Sequence, residues 1–195
     1  MKLTHKGTVR LETPRLILRR FVISDVKDAF NSWCSDPEVT KYLTWPPHKD
    51  ISVTRGFIKT RLDGYVKDDF YSWAMELKAT GQVVGTIGPV HQKEDISMVH
   101  MGYAMGKAWW GCGYMTEALG RAVKFFFEEV GVNRIEARHD PRNAGSGRVM
   151  QKAGLLYEGT WREADINNQG ICDAACYAVL AGEYFQRYAK EGKPL

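Results

Sequence analysis

The sequence predicts an α/β fold, and three observations carry that reading. The stretches "SMVHMGYAM" and "NRIEARHD" both read as strands, and each runs through a turn into a helical pattern. The first of those patterns is the clearest in the chain. Leu119, Ala122, Val123, Phe126, Phe127 and Val130 recur at three- and four-residue steps, one face of a helix from Gly113 to Val130. Upstream, "FYSWAMELKATGQVVGTIGPV" alternates on either side of its ATGQ break, as a β-hairpin does. A hairpin followed by strand–helix units implies a mixed sheet with helices packed on it.

The remaining elements follow in order. "RLILRRF", Arg15 to Phe21, is apolar and extended after Pro14, and reads as a strand. Asp25 begins an amphipathic helix through about Cys34, and "SDPEVTKYL" reads as a short helical turn. "TWPPHKD" must be a loop, because Pro46 and Pro47 lack the donor and geometry for either ladder. Ser52 to about Leu62 looks helical, and Gly131 ends the long helix as a C-cap glycine should. Asn143 to Ala153 is a second helix closed by Gly154. Leu155 to Arg162 and Cys172 to Leu180 form a final strand pair, and the tail from Glu183 is a short helix.

The bulk properties narrow the function. A chain of 195 residues with 44% apolar residues suits one domain with a real core. The net charge of +4 is mild and no Lys/Arg block exists, so nothing asks for nucleic acid. No apolar run approaches the ~18 residues needed to span a bilayer. The start, "MKLTHKGTVRLETPR", is too polar for a signal peptide. Cys34, Cys112, Cys172 and Cys176 form no CxxC pair, and Cys172 and Cys176 have no nearby histidine at metal-ligand spacing. Free thiols, no metal and a cytoplasmic location are the expectation.

The unusual stretch is "WWGCGYMTEAL", Trp109 to Leu119. It lies between a strand and a helix, where the N–H groups of the first helical turn have no partner inside the helix. Those donors and the helix dipole attract an anion. Gly111 and Gly113 have no Cβ, so a phosphate can come close. Alone the motif is weak. A dinucleotide turn would want a third glycine where Thr116 stands, and a Walker loop would want Gly-Lys-Ser/Thr. A strand–helix turn without a ligand is an equal alternative on the bare motif.

Four segments change that balance. "LETPRLILRRFVISDVKDAF", "VVGTIG", "HMGYAMGKAWWGCGYMTEAL" and "HDPRNAGSGRVMQKAGLLYEG" stand in one order at natural spacing. Together they resemble the GNAT superfamily of acyl-CoA N-acyltransferases, and more closely its RimJ/RimL-like branch of ribosomal-protein N-terminal acetyltransferases. The resemblance runs from Leu11 to the strand holding Asp173 and Tyr177. It implies one GNAT domain over residues 1–195, on a strongly twisted, splayed mixed sheet flanked by helices. Acetyl-CoA is the implied co-substrate, lying in the splay.

In the family a Gln/Arg-x-x-Gly-x-Gly/Ala turn wraps the coenzyme A pyrophosphate. The six positions here are Ala108, Trp109, Trp110, Gly111, Cys112 and Gly113. Both glycines match; Ala108 departs, which removes one side chain and leaves the backbone donors. The resemblance thus implies coenzyme A contacts at Trp110, Gly111, Cys112, Gly113, Tyr114, Met115 and Thr116. It also runs the pantetheine arm beside Gly102, Tyr103, Ala104 and Met105, where a main-chain N–H can supply the oxyanion donor. Trp109 and Trp110 are expected to wall the turn, and Cys112 to face solvent.

Acetyl transfer to an amine needs a neutral amine, an oxyanion donor and a proton for the departing thiolate. Asn143 and Ser146 lie three apart at a helix start and share a face. Asn143 also fits a plain N-cap after Pro141. In the family this Asn holds the pantetheine arm and the Ser hydroxyl lies by the thioester sulfur, so Ser146 is the expected acid. Many GNAT enzymes use a tyrosine four residues before the glycine that ends this helix; Met150 stands there. Tyr157 is a spare donor, with a half-buried strand tyrosine as the plainer reading. Asp165 matches the acidic residue that the branch carries near the incoming amine, and an ordinary loop aspartate is an equally good reading. Glu136, on the same strand as His139, and His100 are further base candidates; His100 has a near-neutral reference pKa. Arg148 and Lys152 read as a solvated helix face, and Trp45 borders the implied acceptor site.

The leading function is therefore an acetyl-CoA-dependent N-acetyltransferase acting on a primary amine, a protein N-terminus or a small molecule, by direct attack in a ternary complex. A coenzyme A-binding sensor with little catalysis is the alternative that Ala108 and Met150 motivate. A homodimer is an open possibility, since dimers are common in the branch.

Overall fold

The structure is a computed structural model that describes residues 3–191. Among the described residues eight strands run in chain order: β1 (Leu11–Glu12), β2 (Leu16–Arg19), β3 (Trp73–Leu77), β4 (Val83–Lys93), β5 (Met98–Met105), β6 (Arg134–His139), β7 (Leu156–Asn167) and β8 (Gly170–Leu180). They form one sheet in the order β1-β2-β3-β4-β5-β6-β8-β7. Neighbours are antiparallel except β5 and β6, which are parallel. The helices are α1 (Val26–Ala29), α2 (Pro37–Thr40), α3 (Ile51–Gly64), α4 (Tyr114–Phe125), α5 (Ala144–Lys152) and α6 (Ala181–Glu191).

Strand alternation sorts the core onto the two faces of this sheet. Trp73 and Met75 pack with α4, where Phe125 meets the Trp73 ring edge-on at 5.7 Å. Ala74, between them, faces the other way and packs with Phe21, Trp33 and Ile58 from the segment holding α1 and α3. Both clusters are buried, and removing a ring such as Phe125 would cost about 3–5 kcal/mol.

The β5–β6 register positions the site. Pairing runs through Met98↔Arg134, Val99↔Ile135 and His100↔Glu136, and stops there. On its other edge β5 stays paired to β4 as far as Met105. The sheet therefore splays beyond His100, and one edge of residues 101–105 is left without a strand partner.

Several sequence expectations are refined. The helix from Gly113 is α-helical to Phe125 and then widens to a π turn, Phe126–Val130. Both Gly131 and Val132 donate to the Phe126 carbonyl, at 2.9 and 3.1 Å, which closes the wider turn. The segment from Asp25 begins instead as a 3-10 turn, Ile23–Asp25, because the Asp25 carboxylate accepts from the Val22 N–H at 2.9 Å. The two-residue strand β1 gave no periodic signal. The last strand pair is longer than expected on both sides, joined by a turn at Asn168 and Gln169. Asp165 consequently lies inside β7, opposite Cys172, and not in a loop. The polar run "READINNQ" hid this strand, because β7 is a sheet edge with most of its side chains in water.

Candidate active site

The backbone of β5 supplies the first component. Gly106 donates its N–H to Val84 of β4 at 2.9 Å, while the Met105 carbonyl turns the other way and accepts from Trp110 Nε1 at 2.7 Å. The two-residue period gives Tyr103 the same outward orientation as Met105. Among Gly102, Tyr103, Ala104 and Met105, the N–H groups of Tyr103 and Met105 thus point into the splay.

The glycine turn stands at one end of this gap. Gly111 and Gly113 have φ of 75° and 80°. A Cβ at Gly111 would meet nothing within 4 Å, so its requirement is conformational and not steric. Gly113 caps α4 without a side chain, and the first bond into the helix is Glu117 N–H to the Gly113 carbonyl at 3.1 Å. The N–H groups of Tyr114, Met115 and Thr116 precede that bond and have no acceptor within the helix. Met115 is buried, Tyr114 and Thr116 are half-buried, and Cys112 and Ala108 are exposed. Trp109 is half-buried against the core cluster that α4 joins, and Trp110 is 46% exposed.

Arg15 locks this turn, and nothing in the sequence announced it. It lies between β1 and β2, 97 residues away from Cys112, whose carbonyl accepts from its guanidinium at 2.9 Å. Its Nε donates to Glu117 at 2.7 Å, its backbone N–H to the same carboxylate at 2.9 Å, and its guanidinium lies 4.4 Å over the Tyr114 ring. Glu117 therefore sits in the first turn of α4 with its charge offset, which keeps the anion-attracting field of the helix end.

The start of α5 forms the other wall. Asp140 is buried, and its carboxylate accepts from the Arg142 backbone and guanidinium and from Asn167 of β7 at 2.9 Å. Those donors hold the acid far below the usual carboxylate range, the Arg142 side chain contributing most. The loop so fixed presents Asn143, whose Oδ1 accepts from the Ser146 N–H at 3.3 Å as an N-cap. The Ser146 hydroxyl lies 2.9 Å from the Tyr103 hydroxyl across the splay. Met150 is buried in the core. His139 packs beneath α5, where a Cβ on Gly147 would fall 2.7 Å from its Nε2. Its Nδ1 bonds the Asp140 carbonyl at 2.8 Å, so its position is structural.

Charged groups line the opposite face of the sheet. Val99, Ile135 and Ala137 face α4, so His100, Glu136 and Arg138 face away from it. His100 Nδ1 lies 3.2 Å from Glu136, and Arg134 bridges Glu136 and Glu158. Arg138 pairs with Asp165 at 2.9 Å. Burial pushes the His100 imidazole below its ordinary range, against the opposing pull of Glu136. Tyr157 is more exposed than a half-buried strand tyrosine, and its hydroxyl is bonded to Thr160 at 2.8 Å. Arg148 and Lys152 are exposed, as a solvated helix face requires. At the far end, Asn168 donates to the carbonyls of Thr40 and Trp45 at 2.8 and 2.7 Å, tying the β7–β8 turn to the loop before α3.

The arrangement is a break in strand pairing, with an anion-attracting helix end and a serine hydroxyl on one face of the sheet and the His100 imidazole on the other. Residues 15–156 match the family described as an acetyltransferase (GNAT) domain. The chain is 30% identical over 174 residues to an uncharacterized N-acetyltransferase of Bacillus licheniformis, covering 89% of this chain and 97% of that one. A shorter match, 32% identical over 74 residues, joins 33% of this chain to 38% of the ribosomal protein uS5-alanine N-acetyltransferase of Escherichia coli. An acetyltransferase of the GNAT family from Bacillus anthracis has a similar structure, with a TM-score of 0.79 at 25% identity, covering 90% of this chain and 100% of that one. The chain belongs to the GNAT acetyltransferase family and is an acetyl-CoA-dependent N-acetyltransferase.

Proposed function

We propose that this protein moves the acetyl group of acetyl-CoA directly to a primary amine, a protein N-terminus or a small molecule, while both are bound. The observation that carries the reading is the end of the β5–β6 ladder at His100 and Glu136. It leaves the 101–105 edge of β5 without a strand partner, which supports reading that break as the place where thioester and amine meet beside Tyr103. Holding both in one gap replaces a bimolecular encounter and needs no covalent enzyme intermediate.

The roles follow from position. The N–H groups at the start of α4 hold the pyrophosphate, with Gly111 and Gly113 allowing the turn and Trp110, Cys112, Tyr114, Met115 and Thr116 surrounding it. Asn143 and the outer edge of Gly102 to Met105 border the pantetheine arm. The Tyr103 N–H donates to the oxyanion. The ammonium gives its first proton to water, and neutral His100, aligned by Glu136, accepts the second as the nitrogen attacks. Asp165, paired with Arg138 at 2.9 Å, orders the incoming ammonium. Ser146 gives its hydroxyl proton to the departing sulfur and regains one from water.

The test is an acetyl-CoA assay against a panel of peptide N-termini and small amines, run with Ser146→Ala beside the parent. Turnover should fall by about 100-fold, the low end for loss of a general acid, with coenzyme A affinity retained. Unchanged turnover removes Ser146 from the mechanism; joint loss of affinity makes it a binding residue.

A further inference from the structure

Ser146 is reached by a tyrosine from another element. Helix α5 has no tyrosine on its face toward the gap, and the position where one was sought, Met150, is buried in the core. Tyr103, on β5, brings a phenol hydroxyl across the splay instead, 2.9 Å from the Ser146 hydroxyl and 3.2 Å from the Ser146 carbonyl. We propose that Tyr103 is the positioning residue for Ser146, turning the serine hydrogen toward the departing sulfur. The inference rests on the reading of Ser146 as the acid.

A serine hydroxyl has one hydrogen and rotates to suit its neighbours. The Asn143 Oδ1 accepts from the Ser146 backbone N–H, and the Ser146 hydroxyl pairs with Tyr103. The Tyr103 phenol also has one hydrogen, which leaves two arrangements. If Tyr103 donates to the Ser146 carbonyl, the serine donates back to the phenol and its proton is masked. If Tyr103 donates to the serine oxygen, the serine hydrogen is free to face the gap. A thiolate forming in the gap attracts that hydrogen and selects the second arrangement. Burial raises the Tyr103 phenol well above its usual range, so it keeps its proton and remains a donor.

The step then balances. The C–S bond of the tetrahedral intermediate breaks and sulfur keeps the electron pair. The Ser146 proton moves to sulfur, the serine oxygen recovers one from water, and the Tyr103 proton stays where it is throughout.

A double-mutant cycle tests this, with Tyr103→Phe, Ser146→Ala and both together assayed for kcat, KM and coenzyme A affinity. Phenylalanine keeps the ring in place and removes only the hydroxyl. Loss of one such hydrogen bond in the transition state should lower kcat about tenfold with coenzyme A affinity unchanged. The double variant should be no slower than Ser146→Ala alone, since both changes remove one unit. Losses that multiply, an unchanged kcat in Tyr103→Phe, or a raised KM with normal kcat would each overturn the proposal. Should Tyr103→Phe fail to bind coenzyme A, site-specific 3-fluorotyrosine at position 103 replaces it. That change makes the phenol a stronger donor without altering its reach, and kcat must shift in the parent but not in Ser146→Ala. An impaired Ser146→Ala with a normal Tyr103→Phe defeats this inference alone. An unimpaired Ser146→Ala defeats the acid reading as well.

Discussion

His100 shows how one residue's surroundings decide its use. It is 8% exposed, and burial lowers its pKa from the ordinary 6.5; Glu136 and Asp165 pull upward and Arg138 pushes down. A base must be neutral to accept a proton, so activity should fall as pH drops through this lowered value. Replacing Glu136 by Gln removes a negative charge that favours the imidazolium. The His100 pKa then drops further, and the acidic limb of the kcat/KM profile should move to lower pH. A limb that stays put or moves up would exclude His100 as the base. Gly113 is a second single-residue requirement, for a different reason. Its φ of 80° costs an L-residue roughly 1–2 kcal/mol.

At the scale of elements, the turn before α4 is held from outside itself. Ala108 offers no polar side chain, yet Arg15 fixes the Cys112 carbonyl and offsets the Glu117 charge. This contact is partly exposed, so its worth to global stability is small. Its effect belongs to the cradle. Arg15→Ala should raise the KM for acetyl-CoA by about tenfold and leave kcat near the parent value, as loss of uniform binding does. With S-acetylpantetheine, which lacks the pyrophosphate, the same variant should match the parent. An equal defect with both thioesters would place Arg15 elsewhere in the mechanism. The π turn at the end of α4 has no such link to the site; it sets how Phe126, Phe127 and Val130 meet the core.

On the scale of the whole molecule, the two faces of the sheet are separate except at the splay. The β7–β8 turn then crosses to the loop before α3, where Asn168 bonds the Thr40 and Trp45 carbonyls. That bridge borders the face carrying His100 and Asp165, and it should frame the acceptor. Asn168→Ala removes two bonds to backbone carbonyls without touching the start of α4. The acceptor KM should rise several-fold while the acetyl-CoA KM stays constant. A change in the acetyl-CoA KM instead would assign the bridge to the other face.

What the sequence determined by itself was local. Periodicity located α4, the Gly111 and Gly113 pattern marked its turn, and the Asn143–Ser146 spacing marked the start of α5, because each is a short-range rule of backbone geometry. The same rules could not place Asp165 in a strand, since an edge strand facing water carries little alternation. Nor could they join Arg15 to Cys112 or Tyr103 to Ser146. Arg15 reaches Cys112 because α4 packs on β1 and β2, and Tyr103 reaches Ser146 where β5 and β6 part after His100; both are set by register and packing across the whole sheet. The sequence determined the local elements and marked candidate residues, and the tertiary structure decided which of them touch, because contact between distant segments depends on how the layers pack.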